Sequence, residues 1–455
     1  MRQFKILGIA VAATLLVAAC GGGSDSVQAP AIKYTSLVSF GDSLSDVGTY
    51  KVGAVAALGG GTYSVNGITG VLPSKNWTEL MAAQIGVAAP CPAQTGLNSA
   101  AALGGPVAVV DQPSCRNYAQ GGARVTDPVG PGSASAPVNS PLGQLTVPIV
   151  TQIATHLGRV GSFSGTELVT VMAGGNDALR LLDTLVVNAT AAGSQAFASS
   201  LISQLAAGAT NPVTAAQAIG LALQTEANRV GHTDQSVVGA AVGAAAIQPG
   251  NSAVANPAVY DPMVASAQAA GAAAGAAYAK ANGAAEAVFP MGEAGKQLAA
   301  YIKTQIVGKG AKYVAVVNLP DLSATPSGKG QSVDTQGLIL NMVIYFNEVL
   351  AYELRDIAGV QIIDAFTEAR SQIADPTAYG LTNVITPACN LNAPANGLAT
   401  SPTAENGTSL VCNASNLKVG DVSKYLFADT VHPTPYGYKL LAELVTRNLT
   451  RAGWL

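Results

Sequence analysis

Short apolar runs alternate with longer amphipathic stretches along most of the chain. Leu37-Val38-Ser39-Phe40 reads as a strand ending at Gly41, and Leu168 to Met172 as another ending in Gly174-Gly175. Tyr313 to Leu319 reads as a third, closed by Pro320, and Val360 to Ile363 as a fourth, ending at Asp364. Between them the period is helical. Trp77 to Ile85 predicts a helix. Gln144 to Leu157 predicts another, with Leu145, Ile149, Ile153 and Leu157 on one face, and Leu338 to Leu354 and Tyr436 to Leu449 predict two more. Apolar strands separated by helices specify a parallel sheet covered on both faces. The expected fold class is α/β, in three α/β/α layers with a central parallel sheet. Ligands bind such sheets beyond the carboxyl ends of the strands.

Residues 185–308 break this rhythm. They are alanine-dominated, as in AAQAIGLALQTEANRV and ASAQAAGAAAGAAYAKANGAAEAV. Alanine has the highest helix propensity, and small side chains let helices approach closely. The segment is expected to be a mostly helical insertion between two strands, placed where it could cap a site. Disorder is the competing reading, opposed by the scattered Leu, Ile and Val.

Composition narrows the function classes. The 455 residues allow several domains, or one large domain with insertions. Hydrophobic residues make up 49% and charged residues only 11%, a charge share about half the usual one. Lys and Arg total 23 against 26 Asp and Glu, a formal net charge of −3. That balance provides no basic face, so nucleic acid is not expected as a partner. The only histidines are His156, His232 and His432. A multi-histidine metal centre is therefore not expected, nor is any cofactor.

Residues 1–20 read as a targeting segment. Arg2 and Lys5 precede an apolar run of 14 residues, Ile6 to Ala19, which is short for a membrane span of about 20. The run ends Leu16-Val17-Ala18-Ala19-Cys20 and resembles a bacterial lipoprotein signal, cleaved before a cysteine that is then lipidated. Residues 1–19 would be the signal peptide, Cys20 the lipid anchor to a membrane, and residues 20–32 a flexible tether. Export across the inner membrane follows, with the outer membrane or cell surface as destination. Four cysteines remain, Cys91, Cys115, Cys389 and Cys412, an even number that fits an oxidising compartment. Of the three possible pairings, Cys91–Cys115 and Cys389–Cys412 are favoured, because each pair brackets a Pro/Gly/Asn-rich stretch that reads as a surface loop.

Four short stretches could carry chemistry. Gly41-Asp42-Ser43-Leu44-Ser45-Asp46 follows the first strand directly and puts Ser43 at the open end of the sheet, where Asp-Ser could also cap a helix. In Asn117-Tyr118-Ala119-Gln120-Gly121-Gly122-Ala123, glycine would let a backbone N–H approach an oxyanion, although a tight turn is the simpler reading. Gly174-Gly175-Asn176-Asp177 follows the second strand, so Asn176 could place an amide donor in the cleft, or Asn176 or Asp177 could cap the next helix. Asp429-Thr430-Val431-His432-Pro433-Thr434 precedes the last helix, and an Asp three residues before a His can hold its Nδ1. His156 lies on an amphipathic helix and reads as a packing residue at the boundary of the core, and His232 reads as a solvated loop residue.

Together the blocks GDSLSD, NYAQGGA, GGND and DTVHPT, in this order, resemble the SGNH/GDSL hydrolase family of serine esterases and lipases. The resemblance implies a flavodoxin-like fold over residues 33–455. It implies Ser43 as nucleophile, Asp429 and His432 as its partners, and an oxyanion hole from Ser43, Gly122 and Asn176, with Gly121 an alternative to Gly122. The activity implied is hydrolysis of carboxylic esters of lipid or other acyl substrates through an acyl-enzyme. A polysaccharide acetylesterase, a lipid acyltransferase and a non-catalytic surface lipoprotein are the other readings. No GxSxG, HExxH or GxxxxGK[ST] stretch competes. Oligomeric state is left open.

Overall fold

The computed structural model describes residues 32–67 and 74–455. The signal peptide expected at 1–19, the lipidation site at Cys20 and nearly all of the tether at 20–32 lie outside the described residues. The elements in chain order are β1 (Leu37–Gly41), α1 (Gly53–Ala57), α2 (Trp77–Gln84), β2 (Gln94–Leu97), β3 (Val107–Asp111), α3 (Ile149–Val160) and β4 (Leu168–Met172). The four helices α4 (Gly175–Ala206), α5 (Pro212–Ala227), α6 (Asp234–Ala246) and α7 (Pro257–Gly283) follow, then α8 (Phe289–Tyr301). The chain continues through β5 (Tyr313–Val317), α9 (Pro326–Lys329), α10 (Val333–Leu354), β6 (Val360–Ile363), α11 (Ala365–Ala374) and α12 (Pro435–Arg451).

The strands β1, β4, β5 and β6 pair in that order, all parallel. Every residue of β1 and β4 is buried, as a sheet covered on both faces requires. Val38, Phe40, Val169, Val171, Val314 and Val316 pack with residues of α3, α8 and α10 in the main core. On the other side α12 contacts α2, β5 and β6. This is the expected three-layer α/β/α arrangement. The free edge of β1 is covered by a short extended segment: Ser39 N–H donates to the Arg116 carbonyl (3.0 Å), Tyr118 N–H to Ser39 (2.8 Å) and Gln120 N–H to Gly41 (3.1 Å). That segment satisfies the edge and aims the following Gly121-Gly122 at the end of β1.

Two local expectations change. The helix expected from Gln144 begins only at Ile149, because Pro148 stands at its N-cap and the residue before a proline disfavours the helical region. The stretch between Cys91 and Cys115 is not plain loop: it holds the antiparallel pair β2–β3. Both favoured disulfides, Cys91–Cys115 and Cys389–Cys412, are present.

The alanine-rich region is helical and packed. Residue 185 falls inside α4, which runs unbroken from the Gly174-Gly175 turn. Helices α4 and α7 lie antiparallel in backbone contact. A Cβ on Gly193 would come within 2.8 Å of the Gly271 carbonyl, and one on Gly275 within 3.1 Å of the Ala189 carbonyl. Leu201, Leu205, Ile219, Val242 and Val254 form a core of the insertion's own, which excludes disorder there. Buried apolar area of this kind offsets the conformational entropy that would otherwise keep such a segment unfolded.

His156 is not at the edge of the core but inside it, 2% exposed. Its Nδ1 lies 3.1 Å from the Tyr118 hydroxyl and its ring packs against Phe163. His232, by contrast, is exposed as expected. Burial, with the nearby Arg116 adding to it, holds the His156 imidazole down to about 4 from 6.5. A folded-state value below the unfolded one adds stability above about pH 6.5 that is lost as pH falls through about 4. The melting temperature of His156→Phe should therefore fall less between pH 7 and pH 4 than that of the unsubstituted protein. Parallel curves for the two proteins would refute this source of acid sensitivity.

Candidate active site

The end of β1 admits only a small residue. A Cβ on Gly41 would come within 2.9 Å of the Met172 carbonyl and 3.0 Å of Ser45. Gln152 clamps Gly41 from α3, accepting its N–H at 2.9 Å and donating to its carbonyl at 2.8 Å. The chain then turns tightly: Ser45 N–H donates to the Asp42 carbonyl and Leu44 N–H to Asp42 Oδ1. Ser43 is lifted to the carboxyl end of the sheet at the tip of this turn. Asp42 is buried beside it, and burial pushes its carboxyl up to about 7.

His432 arrives from the far end of the chain. The Asp429 carboxylate folds the turn before α12, because its Oδ1 accepts the backbone N–H groups of Val431 (2.9 Å) and His432 (2.7 Å). Its Oδ2 accepts the Ser409 N–H at 2.9 Å. His432 Nδ1 lies 2.9 Å from Oδ1 and 2.8 Å from Oδ2 of Asp429, and its Nε2 lies 2.8 Å from Ser43 Oγ. A carboxylate can only accept, so Nδ1 carries the proton and Nε2 offers its lone pair to the Ser43 hydroxyl. Tyr63 covers one face of the imidazole, with ring centroids 4.8 Å apart. Burial alone would raise the Asp429 carboxyl. Its pairing with His432 and the hydrogen bonds from His432, Ser409 and Val431 outweigh it and hold the group well below the usual carboxylate range.

The two neighbouring glycines differ in what their N–H groups do. Gly121 N–H donates to Asp46 Oδ2 at 3.0 Å. No acceptor among the described residues takes the N–H of Gly122 or of Ser43. Gly122 has φ +79°, and a Cβ there would stand 2.2 Å from the Pro131 carbonyl, so only glycine fits. Gly121 is glycine because a Cβ would strike the Tyr63 hydroxyl at 2.1 Å. The N-cap of α4 is Gly174, with no side-chain cap, so neither Asn176 nor Asp177 caps the helix. Asn176 donates one amide hydrogen to the Ala123 carbonyl at 2.9 Å and keeps a second in the cavity. Asp177 accepts from Arg124 Nε (3.1 Å) and Val125 N–H (3.0 Å), tying α4 to the same loop.

Ser43, Gly122, Asn176 and His432 line one cavity of about 350 Å³, walled by Leu44, Leu179, Leu182, Met342, Ile373 and Leu444 among others. The structure thus brings Ser43, Gly122, Asn176, Asp429 and His432 together, and leaves His156 and His232 elsewhere. Sequence reasoning missed Asp46, Gln152 and Tyr63. Asp46 stands inside the GDSLSD block, where its place three residues after Ser43 was a usable signal; Gln152 and Tyr63 carried none. No group of three or more potential metal ligands is found among the described residues.

Asp46 has the widest reach. Its Oδ1 accepts the N–H groups of Gly48 and Thr49, both at 2.8 Å, besides the Gly121 bond at Oδ2. Burial pushes its carboxyl up to about 6 against these three bonds. Asp46→Ala would strand three buried donors, each costing about 1–3 kcal/mol when isolated. A loss of at least about 2 kcal/mol in urea unfolding is expected, with reduced turnover as the Gly121-Gly122 loop is released. An unchanged unfolding midpoint would remove Asp46 from this role.

The family model GDSL-like Lipase/Acylhydrolase matches residues 37–271, just over half of the chain. No curated protein matches it. The match opens on the strand that presents Ser43 and passes through Gly122 and Asn176. Asp429 and His432 lie beyond it; the fold brings His432 to the same cavity, with Asp429 behind it. The chain belongs to the GDSL-like lipase/acylhydrolase family and is a hydrolase of that family.

Proposed function

We propose that the protein is an extracytoplasmic serine ester hydrolase that cleaves carboxylic esters through an acyl-enzyme on Ser43. The observation that carries this reading is the unbroken Asp429–His432–Ser43 hydrogen-bond chain at one cavity wall. In the first step Ser43 Oγ bonds to the ester carbonyl carbon while His432 Nε2 takes the hydroxyl proton. Asp429 orients the imidazole and stabilises its cation. Charge developing on the carbonyl oxygen meets the free N–H groups of Ser43 and Gly122 and the second amide hydrogen of Asn176. Collapse breaks the ester C–O bond, and His432 gives the proton to the departing alcohol. Water then attacks the acyl-enzyme by the reverse proton path, releasing the acid and restoring Ser43.

The cavity's aliphatic wall favours acyl groups longer than acetyl, which sets the polysaccharide acetylesterase reading behind this one. For an acyltransferase, the same steps would run with an alcohol in place of water. Residues 33–455 form the catalytic domain in this reading, residues 1–19 the signal peptide and residues 20–32 the tether. A lipid on Cys20 anchors the enzyme to the outer membrane or cell surface. The support is the basic-then-apolar leader ending at Cys20, together with two disulfides, which persist in oxidising compartments.

Ser43→Ala should abolish hydrolysis of p-nitrophenyl esters with unfolding nearly unchanged, and an organophosphonate should label Ser43 alone. In the same assay Asn176→Ala should lower kcat roughly 10²–10³-fold with a smaller change in KM. Full phosphonate labelling of Ser43→Ala would overturn the nucleophile. Lipidation has its own readout: palmitate labelling should be lost in Cys20→Ser, and a mature N-terminus downstream of Cys20 would show ordinary secretion instead.

A further inference from the structure

Helix α11 turns one stripe toward the catalytic cavity. Ala365, Glu368, Ala369, Gln372 and Ile373 all line it, spaced three and four residues apart along the helix. The same cavity is walled by the aliphatic side chains of Leu182, Met342 and Leu444. Ala365, Ala369 and Ile373 suit such a wall. Glu368 is paired, because its Oε1 accepts from Arg447 Nη2 at 2.8 Å. Gln372 is the polar side chain of the stripe that stays unpaired. It is 6% exposed, and its amide bonds to no other group among the described residues.

The buried polar side chains around it are satisfied. Asp321 Oδ2 accepts from Arg370 Nη1 at 2.8 Å, and Thr325 Oγ1 donates to the Leu322 carbonyl at 2.8 Å. Gln144 also lacks a side-chain partner, but it stands at the reacting end: a Cβ on Gly122 would lie 3.2 Å from its Oε1. A buried amide without a partner carries its full desolvation cost, which an apolar side chain at position 372 would avoid. Gln372 therefore presents two donors and an acceptor to whatever enters the aliphatic part of the cavity. No lysine or arginine lines the cavity, so it offers no cation to an anionic group. Asp321 and Glu368 are already paired with arginines, which leaves an ammonium no counter-charge at that wall. The neutral group that both donates to and accepts from an amide is a hydroxyl.

We propose that Gln372 is a specificity-determining residue, and that the acyl chain lying against α11 carries a hydroxyl group hydrogen-bonded to the Gln372 amide. This rests on the ester-hydrolase reading of Ser43. It narrows the substrate from acyl esters at large to hydroxyacyl esters.

The test is a binding measurement on full-length Ser43→Ala protein with methyl octanoate and its monohydroxy isomers. The nucleophile is absent, so the result is independent of whether Ser43 reacts; that question belongs to the phosphonate experiment. One hydroxy isomer should bind more tightly than methyl octanoate. Adding Gln372→Met, which keeps the volume and removes the amide, should cut that preference at least about tenfold, with plain methyl octanoate bound no more weakly. Gln331→Met is the control: Gln331 lines the same cavity but is exposed, and the preference should survive there. Ligand-free Gln372→Met should unfold in urea at a midpoint no lower than its parent, since it relieves an unpaired amide. A lower midpoint would make the amide a structural group and overturn the proposal. An undiminished preference in Gln372→Met would overturn it, as would a preference lost in Gln331→Met or no preference for any isomer. A preference seen only when the hydroxyl is moved to the alcohol side, in hydroxyoctyl acetates, would overturn the acyl assignment.

Discussion

The Asp46 carboxylate is the tie on which the site depends. One oxygen closes the turn after Ser43 through Gly48 and Thr49, and the other reaches across to Gly121. The turn that presents Ser43 and the loop that presents Gly122 thereby become one rigid unit. Because the Gly121 N–H is consumed in that tie, the neighbouring Gly122 N–H is the one left to face the cavity. A buried carboxylate has a high desolvation cost, and three backbone donors offset it. The surrounding bonds act on the same unit: Asn117 Nδ2 donates to the Ser45 carbonyl and the Tyr50 hydroxyl to the Gly121 carbonyl.

The histidine side is built by a second carboxylate in the same way. Asp429 gathers the backbone of its own turn and the N–H of Ser409, so the segment ending at Cys412 becomes part of the frame around His432. The Cys389–Cys412 bridge joins that segment to the strand-like stretch whose Cys389 N–H donates to the Ala428 carbonyl, next to Asp429. A bridge read from sequence as a loop staple therefore also stiffens the support of His432. Restricting the loop limits the unfolded chain, and positioning Asp429 preorganises the site.

Helix α4 links chemistry to the insertion. Its first turn holds Asn176 and Asp177 against the loop that follows Gly122, and the same rigid rod continues through the insertion to Ala206. Its seam with α7 needs glycine at 193 and 271, because a side chain at either would enter the opposing backbone. The alanine and glycine richness thus reflects close helix packing. It leaves few large side chains to cover the outer face of α4, which is why Val186 and Leu179 stand open.

Much of this was local and so legible in the chain. Strand positions follow from runs of β-branched residues, and the fold class from their alternation with helices. Ser43, Asn176, Asp429 and His432 stand in short blocks at strand ends or before a helix, and each disulfide closes one contiguous stretch. Other features depended on partners far away in sequence. Nothing within NYAQGGA separates Gly121 from Gly122, because the difference is made by a carboxylate 75 residues earlier. The Asn176 side chain is freed from capping only because Gly174 takes the cap position and Ala123, 53 residues away, accepts its amide. His156 is drawn into the core by Tyr118 and Phe163, which a helical pattern alone leaves unseen. Periodicity and motif are short-range properties and survive reading one residue after another. Which donor remains unpaired in a cavity is decided by the competition of all its neighbours, and only the tertiary structure brings those neighbours together.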